Sequence, residues 1–510
     1  MTSERKIQKL LIANRGEIAL RIIRTCREMG IRSVAVYSEA DRDSLPVRWA
    51  DEAYCIGPPP SAQSYLKVDA ILDAARRSGA EAIHPGYGFL AENGAFADAC
   101  EAAGLIFVGP TGHVIRTMGD KIDARRLMTQ ANVPVMPGTE GEISTDEELE
   151  RAAEQIGFPM MIKASGGGGG KGIRIVNDPK EMRKAFNMAR SEAEKAFGNP
   201  AVYVERYLKN PRHIEFQVMA DNYGHAIHLG ERECSLQRRH QKIIEETPSP
   251  LIDDELRQRM GDVAVQACEA IGYRNAGTIE FLADTEAFER GEKKFYFLEM
   301  NTRLQVEHPI TEKVLGLDLV RLQLEIAAGQ ELPFAQEDLR QSGHAIEARI
   351  YAEDPNSGFL PATGVVQSLD LPGGSGVRMD SALYEGMEVS VYYDPMLAKL
   401  VVRGSTRDAA IERLKRCLGE LHISGVKTNV PFLLAILETE SFRCGKYHTG
   451  YVEQNLKTIL KDAGSEKREL IVLAAAALAH AERKHRSRQL QAEGAPGLST
   501  WKAAFRPGRS

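Results

Sequence analysis

The sequence predicts a multidomain protein that combines the α/β and α+β classes, and three observations carry that prediction. At 510 residues the chain exceeds what one hydrophobic core supports, so about two to four domains are expected. Its opening, "KIQKLLIANRGEIALRIIRTCREMGIRSVAVYSE", reads as a βαβ unit. After Met118 the strand-like runs come in neighbouring pairs, the antiparallel pattern.

Within the opening unit a strand is expected at 8–13, a turn at Asn14–Gly16, an amphipathic helix, and a second strand at 32–37. The turn holds one Gly rather than G-x-G-x-x-G, so a dinucleotide site is not expected there. "AEAIHPGYGFLAEN" reads as a strand feeding a Gly-rich loop, and "LIFVGP" as a strand at 105–110. Together these extend a doubly wound, Rossmann-like domain over 1–118. A second region runs over 119–330. A third, strand-rich after "HAIEARIYAEDP" and helical at 407–420, runs over 331–455. The tail, 456–510, contains an Ala-rich helical stretch with a basic end. Residues 461–510 carry ten Lys plus Arg against five Asp plus Glu, the pattern of a solvated face or a partner-docking segment.

Composition narrows the class. Hydrophobic content of 43% and charged content of 27% are those of an ordinary globular protein, and a net charge of −6 argues against a nucleic-acid binder. The seven cysteines show no C-x-x-C pair or metal-ligand spacing, which suits reduced thiols in a cytoplasmic protein. No apolar run reaches the length of a membrane span.

One short stretch calls for a ligand. "KASGGGGGKGIRIV" places five glycines, Gly166, Gly167, Gly168, Gly169 and Gly170, between two β-like runs. A Gly tract also serves as a linker, but these flanks are too close to separate domains. As a hairpin tip, it would present N–H groups with no Cβ in the way, and the flanking lysines add charge, so a phosphate chain is the natural guest. The P-loop pattern does not fit, because Ser165 stands where its first Gly belongs and a strand follows.

The segment "FYFLEMNTRLQVEHPIT", residues 295–311, carries the most chemistry. If extended, it places Glu299, Asn301, Arg303, Gln305 and Glu307 on one face. Glu280 sits mid-strand in "AGTIEFLAD". Glu280, Glu299 and Asn301 form a hard oxygen set suited to Mg²⁺ (or Mn²⁺), although a carboxylate buried against Arg303 would look similar. In "PRHIEFQVMAD", His213, Glu215 and Gln217 alternate. "ERECSLQRRHQKIIEETP" packs Arg232, Arg238, Arg239, His240 and Lys242 together, cations able to neutralise a triphosphate or hold a small anion. Cys234 lies among them without a dedicated base, so a structural role is expected.

These runs, with "HPGYGFLAEN", "GDK", "GHAIEARIYAEDP" and "KTNVPFL", resemble a biotin carboxylase, the ATP-grasp component of biotin-dependent carboxylases, over residues 6–455. The resemblance implies an ATP-grasp central domain with a mobile lid at 136–206 and a C-terminal barrel-like domain. It also implies a function: ATP- and bicarbonate-dependent carboxylation of biotin through carboxyphosphate. Lys121 and Lys163 would bind ATP phosphates beneath the glycine tip. Glu205 and Leu208 would form the adenine pocket, and His213, Gln237 and His240 would help to hold the nucleotide. Lys242, Arg303, Gln305 and Val306 would hold bicarbonate, Glu307 would deprotonate it, and Arg349 would face the biotin ureido oxygen.

No biotin-acceptor A-M-K-M occurs in the sequence, so biotin is expected on a separate carrier protein, with carboxyltransferase subunits completing the complex. A homodimer through Arg24 and Arg378 is expected, although Ser375 stands where relatives often carry Phe. The competing readings are another ATP-grasp ligase and a catalytically silent subunit. "HQKIIEETP" and "EARIYAEDP" oppose the first, and the intact acid, base and metal positions oppose the second. "EVSVYYDPMLAKLVV" and the tail point to an acetyl- or propionyl-CoA carboxylase over a pyruvate carboxylase.

Overall fold

The computed structural model describes residues 6–139, 141–164, 173–197, 200–463 and 480. Strands β1 (Lys9–Ile12), β2 (Arg32–Ser38), β3 (Glu52–Gly57), β4 (Ala82–His84) and β5 (Ile106–Phe107) form one sheet in the order β3-β2-β1-β4-β5. All its pairings are parallel. Helices α1 (Gly16–Met29), α2 (Leu45–Trp49), α3 (Val68–Ser78) and α4 (Gly94–Ala102) connect the strands. In α1, Ile18, Ile22, Ile23 and Cys26 recur at helical spacing and are buried, and Gly30 ends the helix at φ 69°, where a Cβ would be strained. Strand order reverses between β1 and β4, and there the two following loops are tied: the Asn14 amide donates to the carbonyls of Pro85 and Tyr87, both at 2.7 Å. The strand expected at 105–110 is only two residues long. Val108 still donates to Ile83, but Pro110 has no N–H to continue the ladder.

Helices α5 (Gly112–Gly119) and α6 (Lys121–Gln130) lead to a small layered unit. It comprises α7 (Asp146–Ile156), β6 (Met160–Ala164), β7 (Ile173–Val176), α8 (Met182–Phe197) and β8 (Val202–Arg206), with strand order β7-β6-β8. Thr145 and Glu148 start α7 with a reciprocal capping box. The unit has its own core, including Leu149, Met160, Ile162, Phe186 and Val204. Phe186 is fully buried in it, so Phe186→Ala should destabilise this unit by about 3–5 kcal/mol. Faster proteolysis within 136–206 would register that loss, and an unchanged cleavage rate would contradict it. The glycine tip, Gly166–Gly170, lies outside the described residues.

An eight-stranded antiparallel sheet carries the polar residues. Its members are β9 (Arg212–Ala220), β10 (Ala226–Arg238), β11 (Gln241–Thr247), β12 (Asn275–Ala283), β13 (Phe295–Asn301), β14 (His344–Tyr351) and two later strands, β19 (Val377–Ser381) and β21 (Met396–Gly404). Between β14 and β21 the chain forms the short strands β15 (Glu353–Asp354), β16 (Leu360–Pro361), β17 (Gly364–Val365), β18 (Ser368–Asp370) and β20 (Glu388–Val389), and β22 (His422–Ser424) follows. The sheet order is β13-β12-β9-β10-β11-β14-β21-β19, so β14 pairs directly with β11. Helix α9 (Asp254–Ala270) packs Met260, Ala264 and Cys268 against Ile214, Phe216, Val218 and Phe281. The opposite strand face is therefore left to His213, Glu215 and Gln217.

Helices α10 (Thr285–Glu289), α11 (His308–Leu315), α12 (Leu319–Ala327), α13 (Arg407–Glu420), α14 (Val430–Glu438), α15 (Glu440–Arg443) and α16 (Tyr451–Ala463) complete the described chain. The Ala-rich tail helix lies outside the described residues except at residue 480. No described helix is long and apolar enough to cross a membrane.

Candidate functional site

Register across β9, β12 and β13 places three carboxylates in a row: Glu280 lies opposite Glu215 on one side and Glu299 on the other. Like charges directly opposite one another repel unless a cation intervenes. Lys242, at the start of β11, supplies one. Its ammonium donates to Glu215 at 2.5 Å, to Glu307 at 2.6 Å and to Glu280 at 3.0 Å. Burial pushes this lysine's pKa down, but the three carboxylates outweigh it and keep the side chain charged. Burial alone would raise Glu280, yet Lys242 and His213 hold it well below the usual carboxylate range. His213, 3.2 Å from Glu280, is pushed down by burial and carried up to about 9 by the acids beside it.

Lys242 does not reach Glu299. Burial and the facing Glu280 raise the pKa of that carboxyl, and Lys121 only partly offsets them. A second cation placed between Glu280 and Glu299 would relieve this repulsion, and Asn301 donates to Glu280 from the same edge at 3.0 Å. Two carboxylates and an amide oxygen match the hard donor set of Mg²⁺, so the residues present fit that ion.

The extended run expected over 295–311 is not extended throughout. β13 ends at Asn301, and Glu307 stands at the N-terminus of α11 with φ −80° and ψ 8°. Strict alternation would also have put Phe295 and Phe297 on the carboxylate face. An irregularity in register between Glu280 and Phe281 leaves Leu298 unpaired and 43% exposed, and shifts the parity so that Phe295, Phe297 and Met300 enter the core. The polar residues after Asn301 still converge, but through a tight loop. Arg303 donates to Asn301 at 3.0 Å and to Gln305 at 2.8 Å, and Gln305 donates to Glu280 at 3.2 Å.

Glu307 is fully buried and meets two cations: Lys242 on one oxygen, and Arg349 on the other at 3.0 Å. Burial and Glu215 push its carboxyl up, but Lys242, Arg349 and Arg232 together hold it below the ordinary range, so it is ionised. Arg349 comes from β14 and is anchored by Glu245 of β11 at 2.5 Å. Arg349 and Lys242 therefore meet on one carboxylate, although 107 residues separate them in the sequence.

The remaining expected residues occupy the surroundings. Lys163 of β6 pairs with Glu205 of β8 at 2.5 Å, and Leu208 is buried just beyond. Gln237 shares a contact with His213 at 3.2 Å. His240 and Arg239 make the two-residue turn between β10 and β11, both at positive φ (65° and 50°), where Asn and Gly are usual. Glu453 accepts from the Arg239 N–H at 2.5 Å and holds that turn from outside. The Val306 carbonyl accepts from the buried Lys399 at 2.9 Å. Cys234 is buried, its thiol pushed far up by burial, in keeping with a structural role. Arg378 is engaged with Glu312 and Asp380 of its own chain, and Arg24 lies over Trp49.

Sequence reading assigned no role to several residues at this site. Glu92 accepts from Arg303 at 2.8 Å, Lys399 supports Val306, and Glu245 anchors Arg349. Only Glu215 carried a readable signal, its alternation with His213 and Gln217.

Three family models match in series: "Biotin carboxylase, N-terminal domain" over 6–115, "Carbamoyl-phosphate synthase L chain, ATP binding domain" over 120–335, and "Biotin carboxylase C-terminal domain" over 347–454. Biotin carboxylase 1 of Bacillus subtilis (strain 168) is 53% identical over 447 residues, 88% of this chain and 98% of that protein. The chain belongs to the biotin carboxylase family. Like other biotin carboxylases, it is an ATP-dependent ligase.

Relatives of this biotin carboxylase serve different complexes. A pyruvate carboxylase subunit of Methanothermobacter thermautotrophicus is 55% identical over 446 residues, 88% of this chain and 89% of the relative. The alpha chain of the mitochondrial methylcrotonoyl-CoA carboxylase of Rattus norvegicus is 50% identical over 473 residues, 92% of this chain and 65% of the relative. Among solved structures, the biotin carboxylase domain dimer of Hydrogenobacter thermophilus 2-oxoglutarate carboxylase, in complex with MgADP, ADP and bicarbonate, matches with a TM-score of 0.80. It is 47% identical and covers 89% of this chain and 98% of that one.

Proposed function

We propose that this biotin carboxylase uses Mg²⁺–ATP and bicarbonate to carboxylate biotin presented by a carrier protein, as the first half-reaction of an acetyl- or propionyl-CoA carboxylase. The observation that carries the chemistry is the convergence of Lys242 and Arg349 on the ionised Glu307. Bicarbonate is a weak nucleophile, and Glu307 takes its proton while Lys242 and Arg303 compensate the added charge. Gln305 and the Val306 peptide orient the anion. Glu280, Glu299 and Asn301 would hold Mg²⁺, which when bound neutralises the phosphoryl group under attack. Lys121, Lys163 and the glycine tip from Gly166 to Gly170 would hold the ATP phosphates. The adenine would lie by Glu205 and Leu208, with His213, Gln237 and His240 completing the nucleotide site.

The deprotonated bicarbonate attacks the γ-phosphorus of ATP as ADP leaves, and the carboxyphosphate so formed breaks down to CO₂, which the N1′ of biotin takes up, and phosphate. The released phosphate takes the N1′ proton of biotin, and Arg349 faces the ureido oxygen as it gains negative charge. Closure of the 136–206 unit excludes water from the intermediate. A homodimer, as in the Hydrogenobacter structure, is the proposed assembly.

Two observations favour the acyl-CoA assignment. The tail from residue 461 carries an Ala-rich stretch and Trp501, which resemble the start of the linking region of larger acyl-CoA carboxylase chains. The match to the methylcrotonoyl-CoA relative spans 473 residues, against 446 for the pyruvate carboxylase relative. Purifying the native complex and assaying it with acetyl-CoA, propionyl-CoA, methylcrotonoyl-CoA and pyruvate tests this. Carboxylation of acetyl- or propionyl-CoA is expected, and turnover of pyruvate alone would overturn the assignment.

A further inference from the structure

Behind Arg349 lies a second pair of acids that the chemistry above does not use. Glu245 of β11 and Glu347 of β14 are cross-strand partners, and both are fully buried. Side chains directly opposite in an antiparallel pair have Cβ atoms about 4.5–5.5 Å apart. One oxygen of Glu245 accepts from Arg349 at 2.5 Å. Its other oxygen, and both oxygens of Glu347, have no hydrogen-bond partner among the described residues. Unlike Glu215 and Glu280, these two acids share no cation that hydrogen-bonds to both, so each opposes ionisation of the other, and a proton held between them would satisfy an oxygen on each.

We propose that Glu245 and Glu347 hold one proton between them and act as positioning residues that aim Arg349 during carboxyl transfer. With the proton on Glu347, its O–H donates to the free oxygen of Glu245, and Glu245 remains the anion that fixes the guanidinium of Arg349. Glu347 is then neutral and does not compete with Glu307 or with biotin for Arg349. Burial is the first cause pushing Glu347 far above the usual carboxylate range, and burial likewise carries Glu245 up to about 7 against the pull of Arg349.

The other charged and titratable groups facing the pair are Lys242 on β11, Cys234 on β10, Arg349 and Tyr351 on β14, Lys399 on β21, Glu307 before α11, and Tyr87 after β4. Lys399 is committed to Glu17 at 3.0 Å and to the Val306 carbonyl. The sign of the pH effect follows from the raised value: Glu347 is neutral below it and gains charge as pH rises through it. Carboxyl transfer should therefore fall on the alkaline side, where a second carboxylate draws on Arg349, while phosphate release continues.

The test uses the full chain with ATP, bicarbonate and free biotin. Glu347→Gln is uncharged and nearly isosteric, so it should keep carboxyl transfer within about twofold at neutral pH and abolish the alkaline fall. It should also remove a protonated-carboxyl band from the infrared spectrum. Glu245→Gln, which takes away the anion that fixes Arg349, should lower transfer about 10²-fold with the KM for ATP unchanged. A loss of transfer in Glu347→Gln of about tenfold or more, an unchanged alkaline fall, or a persisting band would each overturn the proposal. The inference rests on Arg349 acting at biotin, and the infrared band separates the two: it reports the shared proton whatever Arg349 does.

Discussion

Glu307→Gln should abolish bicarbonate-dependent turnover while leaving ATP affinity intact. The substitution keeps the size of the side chain and removes its charge. A buried amide cannot take the bicarbonate proton, and a positioned general base contributes about 10²–10⁴ in rate. Lys242 retains Glu215 and Glu280 as partners, and Arg349 retains Glu245, so neither cation is stranded and the fold should survive. The residues proposed for the nucleotide are untouched. Nucleotide titration calorimetry alongside carboxylation of free biotin checks both halves, and ordinary carboxylation by a folded Glu307→Gln protein would remove Glu307 as the base.

Arg349→Ala should separate the two chemical steps. Bicarbonate activation is proposed at Lys242, Arg303 and Glu307, whereas Arg349 is proposed to face the oxygen that gains charge on biotin. Loss of one such oxyanion contact costs about 10²–10³ in rate. Slow bicarbonate-dependent ATP hydrolysis should persist, and carboxybiotin formation should fall by that factor. The quantity to measure is phosphate released per carboxybiotin formed, which should rise steeply. A ratio equal to the wild type's, with both activities reduced together, would move Arg349 to the bicarbonate or nucleotide step. Lys would be a poor replacement, because the planar guanidinium binds Glu245 and Glu307 in fixed directions at once.

The family and reaction class of this protein were legible in its motifs, and the geometry of the candidate site was less so. The βαβ opening was readable because helix α1 keeps a 3.6-residue apolar period and its turn residues stand at the strand end. The span of α13, Arg407–Glu420, matched for the same reason. The pattern His213, Glu215, Gln217 was readable because the strand face opposite them packs on α9. The run after Asn301 reads as extended but leaves the strand at that residue. Its alternation of polar residues satisfies a strand period, and nothing local marks the irregularity at Leu298; Pro309, in the first turn of α11, is the one local sign that the run turns helical.

By itself the sequence determined the inventory of groups: a run of five glycines flanked by lysines, the side-chain oxygens of Glu280, Glu299 and Asn301, a cluster of cations, and the order of the motifs that carry the family resemblance. Those are properties of residue type and short spacing, which local sterics and periodicity fix. Only the tertiary structure decided which groups share a charge balance. β11 and β14 are about a hundred residues apart in the chain yet hydrogen-bonded in one sheet, and that pairing puts Arg349 on Glu307 and sets Glu347 against Glu245. Cross-strand register of this kind is settled by burial over the whole sheet, because slipping by one residue would turn every side chain of the strand to the other face.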